Sequence, residues 1–226
     1  MKQMLHGGTR PDLLDFSASV NPLGLHPAAA QAVAALAANT APLAAYPDSS
    51  CAELRSLLAQ FWHCEAERIV CGAGAADIIY TLVHGLCRGG VCAVAEPAFT
   101  EYQRAAEIHG CTVRHIVQWQ RDFCSFFEQL AAELAGAGMF FFASPANPSG
   151  AVVSAEELCA IAALCEKKHT IFVLDACFAQ FSAAAEQGVR TLLSRRAEFP
   201  HTIVLNAFTK FYGMAGIRLG YALCCS

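Results

Sequence analysis

Short apolar runs alternate with longer amphipathic segments along most of this chain. Runs rich in Val, Ile and Phe fall at 68–71, 91–95, 112–116, 139–143, 170–174, 202–205 and 217–223, and each predicts a strand. Between them, segments 76–87, 99–109, 125–135 and 154–167 have an amphipathic pattern and predict helices. Upstream, the alanine-rich residues 27–38 favour a helix by propensity, and Leu54, Leu57, Leu58 and Phe61 mark a second one opened by Ser49 and Ser50. Strand–helix alternation of this kind is the signature of an α/β fold, a mainly parallel sheet sandwiched by helices. Open sheets of that type bind ligands at the carboxyl ends of their strands. The residues just after each apolar run are therefore where chemistry is to be sought.

Composition narrows the function classes. With 226 residues, 55% hydrophobic and 15% charged, the chain has ample material for a packed core and does not resemble a disordered protein. A mean hydropathy of +0.39 raises the question of a membrane, yet every apolar stretch is interrupted well before the roughly 18 residues that a spanning helix needs. The excess is alanine, and no membrane association is expected. Lys+Arg 15 against Asp+Glu 19 give a net charge of −4 with no basic cluster, so nucleic acid is not an expected partner. The opening MKQMLHGGTRPDLLDF has no apolar core of a secretory signal, which predicts a cytoplasmic protein. The twelve cysteines form no C-x-x-C pair and sit mostly within apolar runs, so reduced structural thiols are expected rather than disulfides or metal ligands.

Four features stand at the ends of the apolar runs. Gly72-Ala73-Gly74-Ala75-Ala76-Asp77 follows the first; small residues between strand and helix let backbone N–H groups approach a phosphate, although an ordinary tight turn has the same composition. Ser144-Pro145-Ala146-Asn147-Pro148-Ser149-Gly150 is a rigid turn that would fix Asn147 at the rim of the sheet. Asp175 ends an otherwise apolar strand, as a site carboxylate or as a helix N-cap. Finally, Thr209-Lys210-Phe211-Tyr212-Gly213-Met214-Ala215-Gly216-Ile217-Arg218-Leu219-Gly220-Tyr221 sets a lone lysine in an apolar, glycine-punctuated loop with an arginine eight residues on. Such a lysine is a usable amine nucleophile, able to form a Schiff base.

Taken in chain order, the phosphate turn, Asn, Asp and Lys with Arg resemble the pyridoxal-phosphate enzymes of fold type I, the aspartate aminotransferase superfamily, whose lysine lies in an S/T-K-x-x-G-x-x-G-x-R-x-G-Y-like motif. The resemblance implies pyridoxal 5'-phosphate as cofactor and an aspartate-aminotransferase-like large domain. It implies that Lys210 binds the cofactor covalently and moves protons at the substrate's Cα, and that Asp175 pairs with the pyridine nitrogen. Asn147 would donate to the ring's phenolic oxygen, Tyr102 would stack on the ring, and Gly74, Ala75 and Ala76 with Thr209 and Arg218 would hold the phosphate. Tyr46, in Tyr46-Pro47-Asp48, resembles a tyrosine that reaches the partner subunit's phosphate in the histidinol-phosphate aminotransferase group, which implies a homodimer.

The N-terminal segment discriminates within the superfamily. His6-Gly7-Gly8 followed by Asp15-Phe16-Ser17-Ala18-Ser19-Val20-Asn21-Pro22-Leu23-Gly24 is similar to the opening of the threonine-phosphate decarboxylases of cobalamin biosynthesis. That likeness implies a phosphorylated amino acid as substrate, contacted by His6 and Asn21, and a pyridoxal-phosphate-dependent lyase; a histidinol-phosphate-type aminotransferase is the alternative enzyme. Phe178 stands where the pattern has a Tyr or Phe and has no hydroxyl to donate. The resemblance divides the chain into an N-terminal arm with the first helix, 1–40, and a cofactor-binding large domain, 41–226, and implies that the C-terminal small domain of these enzymes is absent. A noncatalytic cofactor-binding remnant is therefore the competing class.

Overall fold

The computed structural model describes residue 12 and residues 18–39, 41–117 and 122–226. Seven strands form one sheet in the order β1-β7-β6-β5-β4-β2-β3. They are β1 (Ile69–Gly72), β2 (Val91–Glu96), β3 (Thr112–Val117), β4 (Met139–Ala143), β5 (Ile171–Asp175), β6 (Thr202–Ala207) and β7 (Gly220–Cys224). The helices are α1 (Pro27–Ala38), α2 (Ala52–Trp62), α3 (Ala75–Leu86), α4 (Thr100–Ile108), α5 (Phe123–Glu133), α6 (Ala155–Lys168) and α7 (Ala183–Ser194). β2 through β6 pair in parallel, whereas β7 runs antiparallel to both β6 and β1. The reversal has a local cause. A crossover helix lies in the connections β3–β4, β4–β5 and β5–β6, but β6 and β7 are joined by a loop alone, and a parallel return needs a crossover.

Burial on both faces explains why the central strands read as unbroken apolar runs. Phe140 and Phe142 pack with Phe126, Leu158, Ile161 and Val189 on one face. Met139 and Phe141 pack with Ile79, Val83 and Ala105 on the other. α6 begins at a capping box in which Glu157 N donates to Ser154 Oγ and Ser154 N donates to Glu157 Oε2, at 3.2 and 2.7 Å. Its partner α7 was not expected from the apolar pattern. It carries Gly188 at mid-helix, where a Cβ would lie 3.0 Å from Leu158 Cδ1, so the glycine that weakens the helical signal lets the two helices approach closely.

The described cysteines are all unbridged, and seven are buried. Among the described residues no helix is long and apolar enough to cross a membrane. α1 buries none of its residues. The segment before it is tied to the loop after β6: Asn21 N donates to Lys210 O at 3.0 Å and Asn21 Nδ2 to Phe211 O at 2.8 Å. Gly213, at φ +67, meets the same segment so closely that a Cβ would lie 2.6 Å from Gly24 O.

Candidate active site

The carboxyl ends of β4, β5 and β6 and the start of α3 surround a cavity of about 410 Å³. Each element delivers its side chain for a reason visible in the local sequence. β5 is apolar until its last residue, so Asp175 reaches the rim as the strand ends, 7% exposed. Its carboxylate accepts from Cys177 N at Oδ1 (2.9 Å) and from the Tyr102 hydroxyl at Oδ2 (2.5 Å). The helix-free link from β6 to β7 carries Thr209 and Lys210 into the cavity wall. The Lys210 ammonium lies 5.7 Å from the Phe178 ring centre, a cation–π contact, and among the described residues no carboxylate pairs with it. Asn147, in the turn after β4, also lines the cavity.

The remaining wall is built for an anion. Gly74, at φ +91, is the N-cap of α3 and provides no side-chain cap, while Ala75 and Ala76 of its first turn line the cavity. The open N–H groups of a helix start attract negative charge. Arg218 is directed at the same place: a Cβ on Gly74 would lie 2.8 Å from Arg218 Nη2. Arg218 itself holds a left-handed conformation, φ +58, a conformation costing about 1–2 kcal/mol for a residue with a Cβ. Its guanidinium lies against the helix end. A helix N-terminus, a hydroxyl and a guanidinium fit a phosphate, and a buried carboxylate in the same cavity fits a protonated ring nitrogen, so these residues suit pyridoxal phosphate on their chemistry alone.

An aminotransferase class I and II family model matches residues 11–226. The chain belongs to that family. Among curated relatives of this aminotransferase-family chain, the threonine-phosphate decarboxylase of Salmonella typhimurium is 33% identical over 95% of the chain and 57% of its own length. The histidinol-phosphate aminotransferase of Symbiobacterium thermophilum is 31% identical over 94% and 56%. A solved histidinol-phosphate aminotransferase from Sinorhizobium meliloti, in complex with pyridoxal-5'-phosphate, superposes with a TM-score of 0.80 at 22% identity, over 92% of this chain and 55% of that one. The chain thus spans little more than half of these relatives, and its fold is that of the aspartate-aminotransferase large domain.

Of the residues expected from sequence, Ala75, Ala76, Asn147, Asp175, Thr209, Lys210 and Arg218 line one cavity, with Gly74 directly behind the arginine. Tyr102 reaches it in a different posture from the one expected. Its ring is 1% exposed and stacked on Phe141 at 4.9 Å, with its hydroxyl on Asp175, so it has no free face for a cofactor ring. Phe99, half-buried in the cavity wall, is the aromatic that sequence reasoning passed over. The signal was present: Tyr102, Ala105 and Ala106 share the inward face of α4, whereas Phe99 precedes the helix as its N-cap. Asn21 lies outside the cavity wall, with its amide engaged by Phe211 O and Leu23 N. Tyr46 is fully exposed, and His6 lies outside the described residues.

Proposed function

We propose that the chain is the cofactor-binding part of a pyridoxal-phosphate enzyme acting on a phosphorylated amino acid, and that its reaction is the decarboxylation of L-threonine O-3-phosphate to (R)-1-aminopropan-2-yl phosphate in cobalamin biosynthesis. The observation that carries it is the meeting of Lys210, Asp175, Asn147 and Arg218 around one cavity in a member of this family. Bound pyridoxal phosphate supplies an electron sink joined to the substrate's Cα. Arg218, Thr209 and the first turn of α3 bind its phosphate, and Asp175 takes the proton-bearing ring nitrogen. Phe99 takes the stacking position first expected of Tyr102. Asn147 donates to the ring oxygen, and Phe178 has only a ring to offer. After the bond from Cα to the carboxylate breaks and carbon dioxide leaves, Lys210 Nζ returns a proton to Cα.

The likeness of the N-terminal segment to the opening of the threonine-phosphate decarboxylases supports decarboxylation over transamination, and Asn21 ties its N-P-L-G stretch to the backbone of the lysine loop. His6 and Asn21 are the substrate contacts in this reading. Transamination is the second reading, favoured by the aminotransferase relative at nearly the same identity. The working unit is a homodimer in which exposed Tyr46 reaches the partner's cofactor phosphate, with an arm of residues 1–40 and a cofactor domain of 41–226. The unbridged thiols suit the cytoplasm. Incubation of the chain with pyridoxal phosphate and L-threonine O-3-phosphate tests the reading: carbon dioxide release supports it, and conversion of histidinol phosphate with a 2-oxo acid in its place selects the aminotransferase. Cofactor binding with neither product leaves a noncatalytic cofactor-binding protein.

A further inference from the structure

Asp175 is held from two sides. Cys177 N donates to Oδ1 at 2.9 Å and the Tyr102 hydroxyl to Oδ2 at 2.5 Å, so each oxygen has a donor, and the Cys177 thiol is a further hydrogen-bond neighbour of the carboxylate. Tyr102 is itself fixed: its ring stacks on Phe141 at 4.9 Å with 4° between planes, and Phe99 meets its ring at 5.7 Å and 84°. Phe141 stands on β4, which is hydrogen-bonded to the strand that ends in Asp175. The tyrosine thus reaches from α4 across β4 to the tip of β5. Burial, and next the charge of Asp175, push the Tyr102 hydroxyl well above its usual value, which keeps its proton in place as a donor. Among the described residues no lysine or arginine pairs with Asp175, so its partners within the chain are neutral donors.

We propose that Tyr102 is a positioning residue that orients the Asp175 carboxylate towards the ring nitrogen of pyridoxal phosphate. The inference rests on the cofactor reading above and adds to it a residue that acts through Asp175 without touching the ring face. A carboxylate oxygen has acceptor capacity for more than one donor. Tyr102 takes part of the Oδ2 capacity and leaves the rest for the ring nitrogen. Without the hydroxyl, negative charge concentrates on Asp175, the ring proton is drawn towards the carboxylate, and the ring pulls less on the lysine–cofactor linkage.

Tyr102→Phe keeps the ring, the Phe141 stack and the core, and removes the donor alone. With pyridoxal phosphate as the probe, the dissociation constant and the pH midpoint of the bound cofactor's visible band are measured for the wild type, Tyr102→Phe, Asp175→Asn and the double variant. The expected results are affinity about tenfold weaker in Tyr102→Phe, because the carboxylate is no longer held in the orientation that meets the ring nitrogen, and a midpoint displaced to higher pH. In the Asp175→Asn background, Tyr102→Phe should change neither quantity. Unchanged affinity and midpoint in Tyr102→Phe overturn the proposal, as does an equal loss with and without Asp175, which is what general loosening of the core produces. A wild-type protein with no visible band fails earlier, at the cofactor reading, and brings this proposal down with it.

Discussion

The two ends of the sheet differ in how most of their polar groups are paired, although Thr202 Oγ1 at the amino end is unpaired and Asp175 at the carboxyl end is paired on both oxygens. At the amino ends, Thr170 Oγ1 donates to Ala137 O at 2.8 Å, Cys111 Sγ to Cys87 O at 3.0 Å, and Arg114 Nη1 to Glu133 O and Ala135 O at 2.7 and 2.6 Å. Those groups close on the chain itself. At the carboxyl ends, Lys210 has a ring for a neighbour, Arg218 is strained and lies against a helix start, and Asn147 makes no side-chain hydrogen bond among the described residues. Buried polar groups are normally paired within the fold, so the unequal pairing of one end marks it as the end that completes itself with something else. Substitutions at one end should therefore cost stability, and substitutions at the other should cost binding and turnover.

The largest effect expected is for Lys210→Ala: loss of the cofactor's visible band and a fall in turnover of about 10⁴-fold, with the denaturation midpoint unchanged. Phe140→Ala, on the buried strand, should do the reverse, lowering unfolding free energy by about 3–5 kcal/mol in a urea titration while the folded fraction binds cofactor as before. Arg218→Ala should weaken pyridoxal phosphate by about 10–100-fold and leave pyridoxal, which lacks the phosphate, unaffected. Thr170→Val, at the closed end, should cost about 1–3 kcal/mol of stability by leaving the Ala137 carbonyl unpaired, with no change in cofactor affinity.

The smallest expected effect is on the alkaline side. Burial pushes Cys225 up to about 12 and Cys71 to about 11, from 9.0 for a free thiol, and raises Cys177 further. Above pH 9 the unfolded chain releases protons that the folded chain keeps, so this contribution is complete below 9 and declines as pH rises towards these values. Urea midpoints at pH 7, 8, 9 and 10 should be flat at first and then fall.

Much of this contrast was legible in the sequence. The strand runs and the four rim motifs rest on local pattern, and the structure brings those motifs to one cavity. What escaped depended on contacts distant in sequence. α7 was hidden by Gly188, whose use is its approach to Leu158. The last strand begins at Gly220, three residues later than the apolar run, because Arg218 takes a left-handed turn at an otherwise apolar stretch. Tyr102 and Phe99 are both plausible ring partners by composition, and the inward face of α4, with the reach of a hydroxyl to Asp175, separates them.

The chain has four lysines, Lys2, Lys167, Lys168 and Lys210, and of the three among the described residues Lys210 alone lies in the cavity wall. Borohydride reduction of the protein loaded with pyridoxal phosphate, followed by peptide mass mapping, reads which one carries the cofactor. The account predicts stoichiometric label on the peptide containing Lys210. Label distributed over Lys167 and Lys168, or none above an unreduced control, would contradict it.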